Sequence, residues 1–321
     1  MGLDGLDDGQ TSFWPEYDLS NTLDVEISEL KPKSKKFIHY CSLDAFYAII
    51  GSGRLRFTSA KSTNDPSEFV FGREVVAKAI DLALKSHGLG PYDVLKNCRE
   101  NFLARDFRAF VFCMSESLGN EEAIGELSQW RLYGADGRGV GLVFDTSKKS
   151  SYAGLVDAGS IPRRVVYGEA EGLNVAAKQI ERFFQQIDKL PPHSKEFLEA
   201  IPLNAQAYLI NCLFWLPSVI KHEAYQHERE VRLIRGDVGE QAGNPLVFFE
   251  RGGIQRPAIE RQIGELVGEL PNVRIASPLQ KVIIGPSSDQ PALFDSIYYY
   301  SQANRWNLEI SKSDIPYRAL S

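Results

Sequence analysis

An α+β fold, with a bent mixed or antiparallel central sheet flanked by helices, is what this sequence predicts, and three observations predict it. Strand-like segments are separated by helical ones of very uneven length. The regular strand–helix–strand alternation of a doubly wound sheet is missing, as is the G-x-G-x-x-G turn that opens one. A helical stretch over about 169–222 interrupts the strands and is followed by a strand that returns to the sheet.

The elements follow in order. Residues 1–34 read as a polar leader, with Trp14 and Tyr17 docking on the body and a short edge strand at Leu23–Ile27; the remainder, 35–321, reads as one domain carrying the helical insertion. Lys35–Cys41 is the first strand. Ser42 caps a helix whose apolar side is Leu43, Phe46, Tyr47, Ile49 and Ile50 and which stops at Gly51 and Gly53. Leu55–Ser59 alternates as a second strand. In Asn64-Asp65-Pro66-Ser67-Glu68, Asp65 suits the N-cap, Pro66 the first helical position and Glu68 the third residue of a capping box, so a helix runs to about Ser86. A further helix is expected over Tyr92–Leu103, a central strand over Phe107–Ser115, a helix over Glu121–Tyr133, and strands at Val140–Phe144 and Arg164–Tyr167. Helices are expected at Glu169–Ile187 and Ser194–His222, strands at Leu246–Glu250 and Lys281–Ile284, a helix or long loop at Ile259–Leu270, a helix at Pro291–Gln302 and a last strand at Leu308–Ser311.

Composition excludes some functions. A net charge of −6 and a pI near 5.5 give no whole-protein attraction to nucleic acid or anionic membrane, leaving local basic patches at Lys31–Lys36 or at Arg54 and Arg56. The four cysteines are scattered without a C-x-x-C; Cys41, Cys113 and Cys212 read as buried thiols, which suits a reducing cytoplasm. No secretory signal is visible, and the apolar run at Ala207–Ile220, broken by Asn211 and Pro217, is too short to span a bilayer, so the expected location is cytoplasmic and away from membranes.

The stretch with chemistry to weigh is Tyr225–Ile234. Read as a strand, it puts Glu228, Glu230 and Arg232 on one face and Arg229, Val231 and Leu233 on the other. Such charges are costly to desolvate unless they pair or border a cleft. Elsewhere the signals are weak. His222 and His227 do not have metal-ligand spacing and read as surface residues; there is no G-x-S-x-G or phosphate loop; Cys41 and His39 share one strand without an orienting acid; Gly134–Gly141 is a turn before a strand. His39 ends a strand, where it is either structural or a ligand donor, and Trp130 and Tyr133 are either core or a stacking platform.

Taken in order, His39-Tyr40-Cys41-Ser42-Leu43, Gly53-Arg54-Leu55-Arg56, Asn64–Glu68, Phe112–Ser115, Trp130–Phe144, Tyr225–Leu233, Ile283–Pro286 and Ser313–Arg318 resemble the bacterial domain of unknown function 2971 family. The layout of that family is similar to the ADP-ribosyltransferase-like fold. The resemblance implies an NAD-consuming transferase, a toxin or anti-phage defence effector acting on nucleic acid or protein and held by a partner protein or antitoxin. It implies His39 on the first strand and Glu230 as the catalytic glutamate, with Glu228 two residues earlier. Either Ser59 or Tyr133 is implied as the middle member, and His39, Tyr40, Ser59, Trp130, Tyr133 and Arg232 as contacts to NAD. The rival readings are a non-catalytic nucleotide- or partner-binding module on the same fold and an NAD glycohydrolase.

Overall fold

A computed structural model describes residues 27–63, 66–106, 108–148, 161–192, 202–236, 245–263, 277–287 and 289–317, with Ser151, Leu155, Lys195 and Glu196. Trp14, Tyr17, all but the last residue of Leu23–Ile27, the capping residues Asn64 and Asp65, and Arg318 lie outside them.

The fold is α+β, built on a mixed sheet of ten strands flanked by helices. Along the sheet run β12 (Glu309–Lys312), β11 (Leu279–Ile284), β4 (Val140–Asp145), β1 (Lys36–Cys41), β3 (Phe110–Glu116), β2 (Arg54–Ser59), β10 (Ile254–Gln262) and β9 (Val247–Arg251). Strand β8 (Glu230–Arg235) pairs with β3 and carries the short β5 (Arg163–Arg164). β6 (Val166–Tyr167) and β7 (Ile220–Lys221) form a separate parallel pair.

Local chemistry accounts for several helix bounds. Helix α1 (Leu43–Ser52) begins where the Ser42 hydroxyl accepts from the Ala45 N–H at 3.3 Å, and it stops at Gly53, in the left-handed region at φ 66°. Helix α2 (Pro66–His87) starts with Pro66 and carries Glu68 in its first turn. Helices α6 (Glu169–Asp188) and α7 (Pro202–Leu213) cover the same side of the sheet as α2, and α6 buries Val175, Ile180, Phe183 and Ile187 along one stripe. Helices α1 and α8 (Gln290–Ala303) cover the opposite side, over Phe37, Phe57, Phe112, Phe144 and Leu233.

Several expectations change. Ile259–Leu270 is neither helix nor loop at its start: residues up to Gln262 belong to β10, paired with β2 over Thr58–Arg54, so the ladder rather than local propensity decides it. Tyr92–Leu103 reduces to a single 3₁₀ turn and the helix α3 (Cys98–Ala104). Glu121–Tyr133 is two short helices, α4 (Glu121–Ile124) and α5 (Leu127–Leu132), parted at Gly125, whose φ of 80° a helix cannot hold. The helical stretch expected to reach His222 ends earlier, and Ile220–Lys221 extends beside β6. The strand expected over Tyr225–Ile234 begins only at Glu230: Glu223–Glu228 is a 3₁₀ segment, and Arg229 turns the chain in the left-handed region at φ 46°. Cys113, expected to be buried, is half-buried, while Cys41, Cys98 and Cys212 are buried.

Candidate functional site

The site lies where the sheet divides. One edge of β3 is paired with β8 from Phe110 to Ser115. On its other edge β1 pairs with Ser115 and Glu116, and β2 pairs with Phe110 and Val111. Phe112, Cys113 and Met114 are left between them, where β1 and β2 have diverged. A backbone carbonyl in such a gap needs another partner. His39 supplies it: its Nδ1 donates to the Cys113 carbonyl at 2.8 Å, and its ring lies on Phe112, with centroids 4.5 Å apart. Burial lowers the His39 pKa, against the effect of that hydrogen bond. A neutral ring with Nδ1 protonated leaves Nε2 as an acceptor.

The strands alternate, so β3 and β8 send Phe112, Met114, Val231 and Leu233 into one core and turn Cys113, Ser115, Glu230 and Arg232 to the other face. There a buried ionic cluster closes (Glu68, Lys221, Glu228, Glu230 and Arg232 are each less than 10% exposed). Arg232 grips Glu230 with two parallel bonds, Nε to Oε1 at 2.9 Å and Nη2 to Oε2 at 2.7 Å. The same guanidinium reaches Glu68 and donates to the Ser218 carbonyl at 2.7 Å. Lys221 Nζ sits among three carboxylates, 2.6 Å from Glu228, 3.2 Å from Glu68 and 3.3 Å from Glu230. Three carboxylates against two cations leave one surplus negative charge.

The electrostatics follow from these contacts. Burial alone would raise the Glu230 pKa; the Arg232 and Lys221 charges outweigh it and hold the carboxyl down to about 2. Burial would likewise discharge Lys221, but Glu230, Glu68 and Glu228 keep it protonated well above the usual lysine range. The thiol of the half-buried Cys113, desolvated beside Glu230, is pushed far up and stays protonated. Tyr133 is also raised, by burial and then by Glu228, to whose Oε1 its hydroxyl donates at 2.8 Å.

These groups line a cleft of about 240 Å³. Its wall includes Tyr40, whose hydroxyl is already used by the Glu126 N–H at 2.9 Å, and Gln129, which accepts from Ser115 Oγ at 3.1 Å. Toward solvent the lining becomes basic. Arg56 is exposed, 2.8 Å from Glu260 and over the Phe249 ring, and the half-buried Arg256 donates to the Ser62 and Thr63 carbonyls. The cleft therefore has an anionic floor and two arginines at its mouth.

Of the residues singled out in the sequence, His39, Tyr40, Tyr133, Glu228, Glu230 and Arg232 all line this cleft, whereas Ser59 and Trp130 do not. Ser59 is buried at the end of β2, opposite Phe110, on the face that Leu55 and Phe57 turn to the core, while Arg56 and Thr58 on the alternate face line the cleft. Trp130 is fully buried, edge-on to Tyr40 and donating through Nε1 to the Ile124 carbonyl; a Cβ on Gly125 or Gly134 would collide with its ring, so it is core and no stacking platform. Glu228 reaches the site from the 3₁₀ segment and not through strand alternation. Sequence reading missed Glu68, Lys221 and Gln129. The sequence pattern assigns Glu68 to a capping box and Lys221 to a helix, and either assignment hides the residue's part in the cluster. For Gln129 the four-residue spacing to Tyr133 was the available signal.

Residues 129–233 match the family described as Protein of unknown function (DUF2971), about a third of the chain. That stretch runs from Gln129 to Leu233 and holds Tyr133, Lys221, Glu228, Glu230 and Arg232, while His39 and Glu68 fall before it. No curated protein and no solved structure matches the chain.

Proposed function

We propose that this protein is an NAD-dependent transferase of the ADP-ribosyltransferase-like kind, which breaks the bond between nicotinamide and ribose and passes the ADP-ribosyl group to a nucleic-acid base or a protein side chain. The observation that carries this reading is the convergence of His39, Tyr133, Glu228 and Glu230 on one cleft at the split between β1 and β2. The bipolar lining fits the substrate's charges. A surplus negative floor suits a cationic nicotinamide and the positive charge that builds on ribose C1′, and Arg56 and Arg256 at the mouth suit a diphosphate.

In this scheme the glycosidic electron pair leaves with nicotinamide as the C1′–N bond breaks. Glu230, ionised throughout, offsets the charge developing on the sugar, as carboxylates do in glycoside cleavage. The acceptor attacks C1′ and its proton goes to Glu228, whose carboxylate is held by Tyr133 and Lys221. His39 Nε2 accepts from a ribose hydroxyl. A toxin or defence role is part of the same reading.

One feature favours a second reading, a nucleotide-binding module without turnover: both oxygens of Glu230 are already held by Arg232 and Lys221. The test is to incubate the protein with NAD, follow free nicotinamide and record the melting temperature. The transferase reading expects nicotinamide release and a melting temperature rising with the logarithm of NAD concentration. Glu230→Gln is expected to keep the shift and lose the release. A shift without release in the wild type selects the binding module; release without label on macromolecules selects the glycohydrolase; no shift at millimolar NAD overturns the NAD readings.

A further inference from the structure

Helix α5 holds a buried amide whose nitrogen has no partner among the described residues. Gln129 is 1% exposed, its Oε1 accepts from Ser115 Oγ, and its Nε2 has no partner among the described residues. Turning the amide over exchanges its two ends and leaves the other one orphaned. Native interiors rarely leave such a group unpaired, and each exception calls for a physical reason. Gln129 cannot escape to water by rotating its helix, because Trp130, the next residue, is locked in the core through Ile124. The orphaned amide instead lines the cleft, four residues before Tyr133 and bonded to Ser115, which stands opposite Glu230 in the β3–β8 ladder.

Its neighbours define what it can accept. Lys221 and Arg232 are both committed to Glu68, Glu228 and Glu230, and one negative charge is left over. A ligand carboxylate brought to Gln129 would meet that surplus, whereas a neutral carboxamide would not. Setting a like charge against a competing ligand is one route to specificity.

We propose that Gln129 is a specificity-determining residue, whose Nε2 donates to the oxygen of a neutral carboxamide on the ligand, so that the cleft accepts a dinucleotide ending in nicotinamide and rejects the one ending in nicotinate. This rests on the NAD reading above and names the group of the substrate that the site inspects. Gln129 holds the ligand; it takes no part in the bond cleavage.

The experiment measures dissociation constants for NAD and for nicotinic acid adenine dinucleotide, with the wild type and with Gln129→Met, which keeps the length of the side chain and removes the donor. The wild type is expected to prefer NAD by about tenfold or more, and Gln129→Met to bring the ratio within about threefold, mainly by losing NAD affinity. A Gln129→Met protein that binds NAD with the wild-type ratio overturns this inference and leaves the transferase reading standing. A wild type that does not respond to NAD overturns that reading, and this inference with it. Should Gln129→Met fail to fold, free nicotinamide and free nicotinate are compared on the wild type. Stabilisation by nicotinamide alone supports the assignment, and equal stabilisation by both overturns it.

Discussion

The two faces of β8 are built from alternate residues of the same six-residue strand and obey opposite rules. Val231 and Leu233 enter a core of Phe57, Phe112 and Phe144, where fit is the whole requirement. Glu230 and Arg232, one residue along, enter a space that holds five ionisable side chains. Apolar fillings of such faces are often as stable or more so, since desolvating two charges costs about as much as their attraction returns. The first face holds the fold together; the second holds a charge pattern whose desolvation cost offsets much of its attraction, which fits the binding or catalytic role proposed for it.

Substitutions can break this contrast. The largest effect is expected from Lys221→Met, which strands three carboxylates around one guanidinium; a loss of about 3–5 kcal/mol in urea unfolding is expected. A loss below about 1 kcal/mol would mean that Lys221 is not the hub of the cluster. On the opposite face Leu233→Ala is expected to cost about 2–5 kcal/mol through the cavity it leaves, while the NAD-dependent rise in melting temperature stays at its wild-type size. A vanished NAD response in that variant would show that the two faces are coupled. Tyr133→Phe removes one bond to Glu228 and is expected to cost roughly 1.5 kcal/mol, with nicotinamide release falling further than stability does. Arg56→Ala, at the open mouth, breaks a partly exposed pair with Glu260 and a contact with the Phe249 ring, and is expected to cost less than about 1 kcal/mol, while weakening NAD binding.

Acid sharpens the same contrast. The Glu230 carboxyl is held at about 2 against an ordinary value of 4.5, so the folded state resists its protonation. Its contribution is complete above about pH 4.5 and is lost as pH falls toward 2. Stability measured by urea unfolding is expected to drop across that window in the wild type and to drop less in Glu230→Gln. Parallel curves would assign the acid loss to other carboxylates.

How far the sequence reached depended on the range of the physics involved. Ser42 and Gly53 bracket α1 as read, because capping is settled within four residues. The apolar run around Phe112 was recognisable as a central strand, because burial on both faces leaves a local signature. The polar stretch Glu223–Glu228 carried no such alternation to distinguish a 3₁₀ segment from a strand. Glu230 and Arg232 were legible as one charged face, but their partners were not. Glu68 satisfied a helix start as well as it satisfies Arg232, and Lys221 had no nearby signal.

The sequence by itself determined the α+β class, most helix ends and the central strands, since hydrophobic period and capping act between residues a few positions apart. Only the tertiary structure decided that β1 and β2 part beside Cys113, that His39 fills the gap, and that Glu68 and Lys221 close on Glu230 and Arg232. The reason is physical: a buried charge is satisfied by whatever opposite charge the fold brings within about 3 Å, and separation along the chain places no limit on that choice.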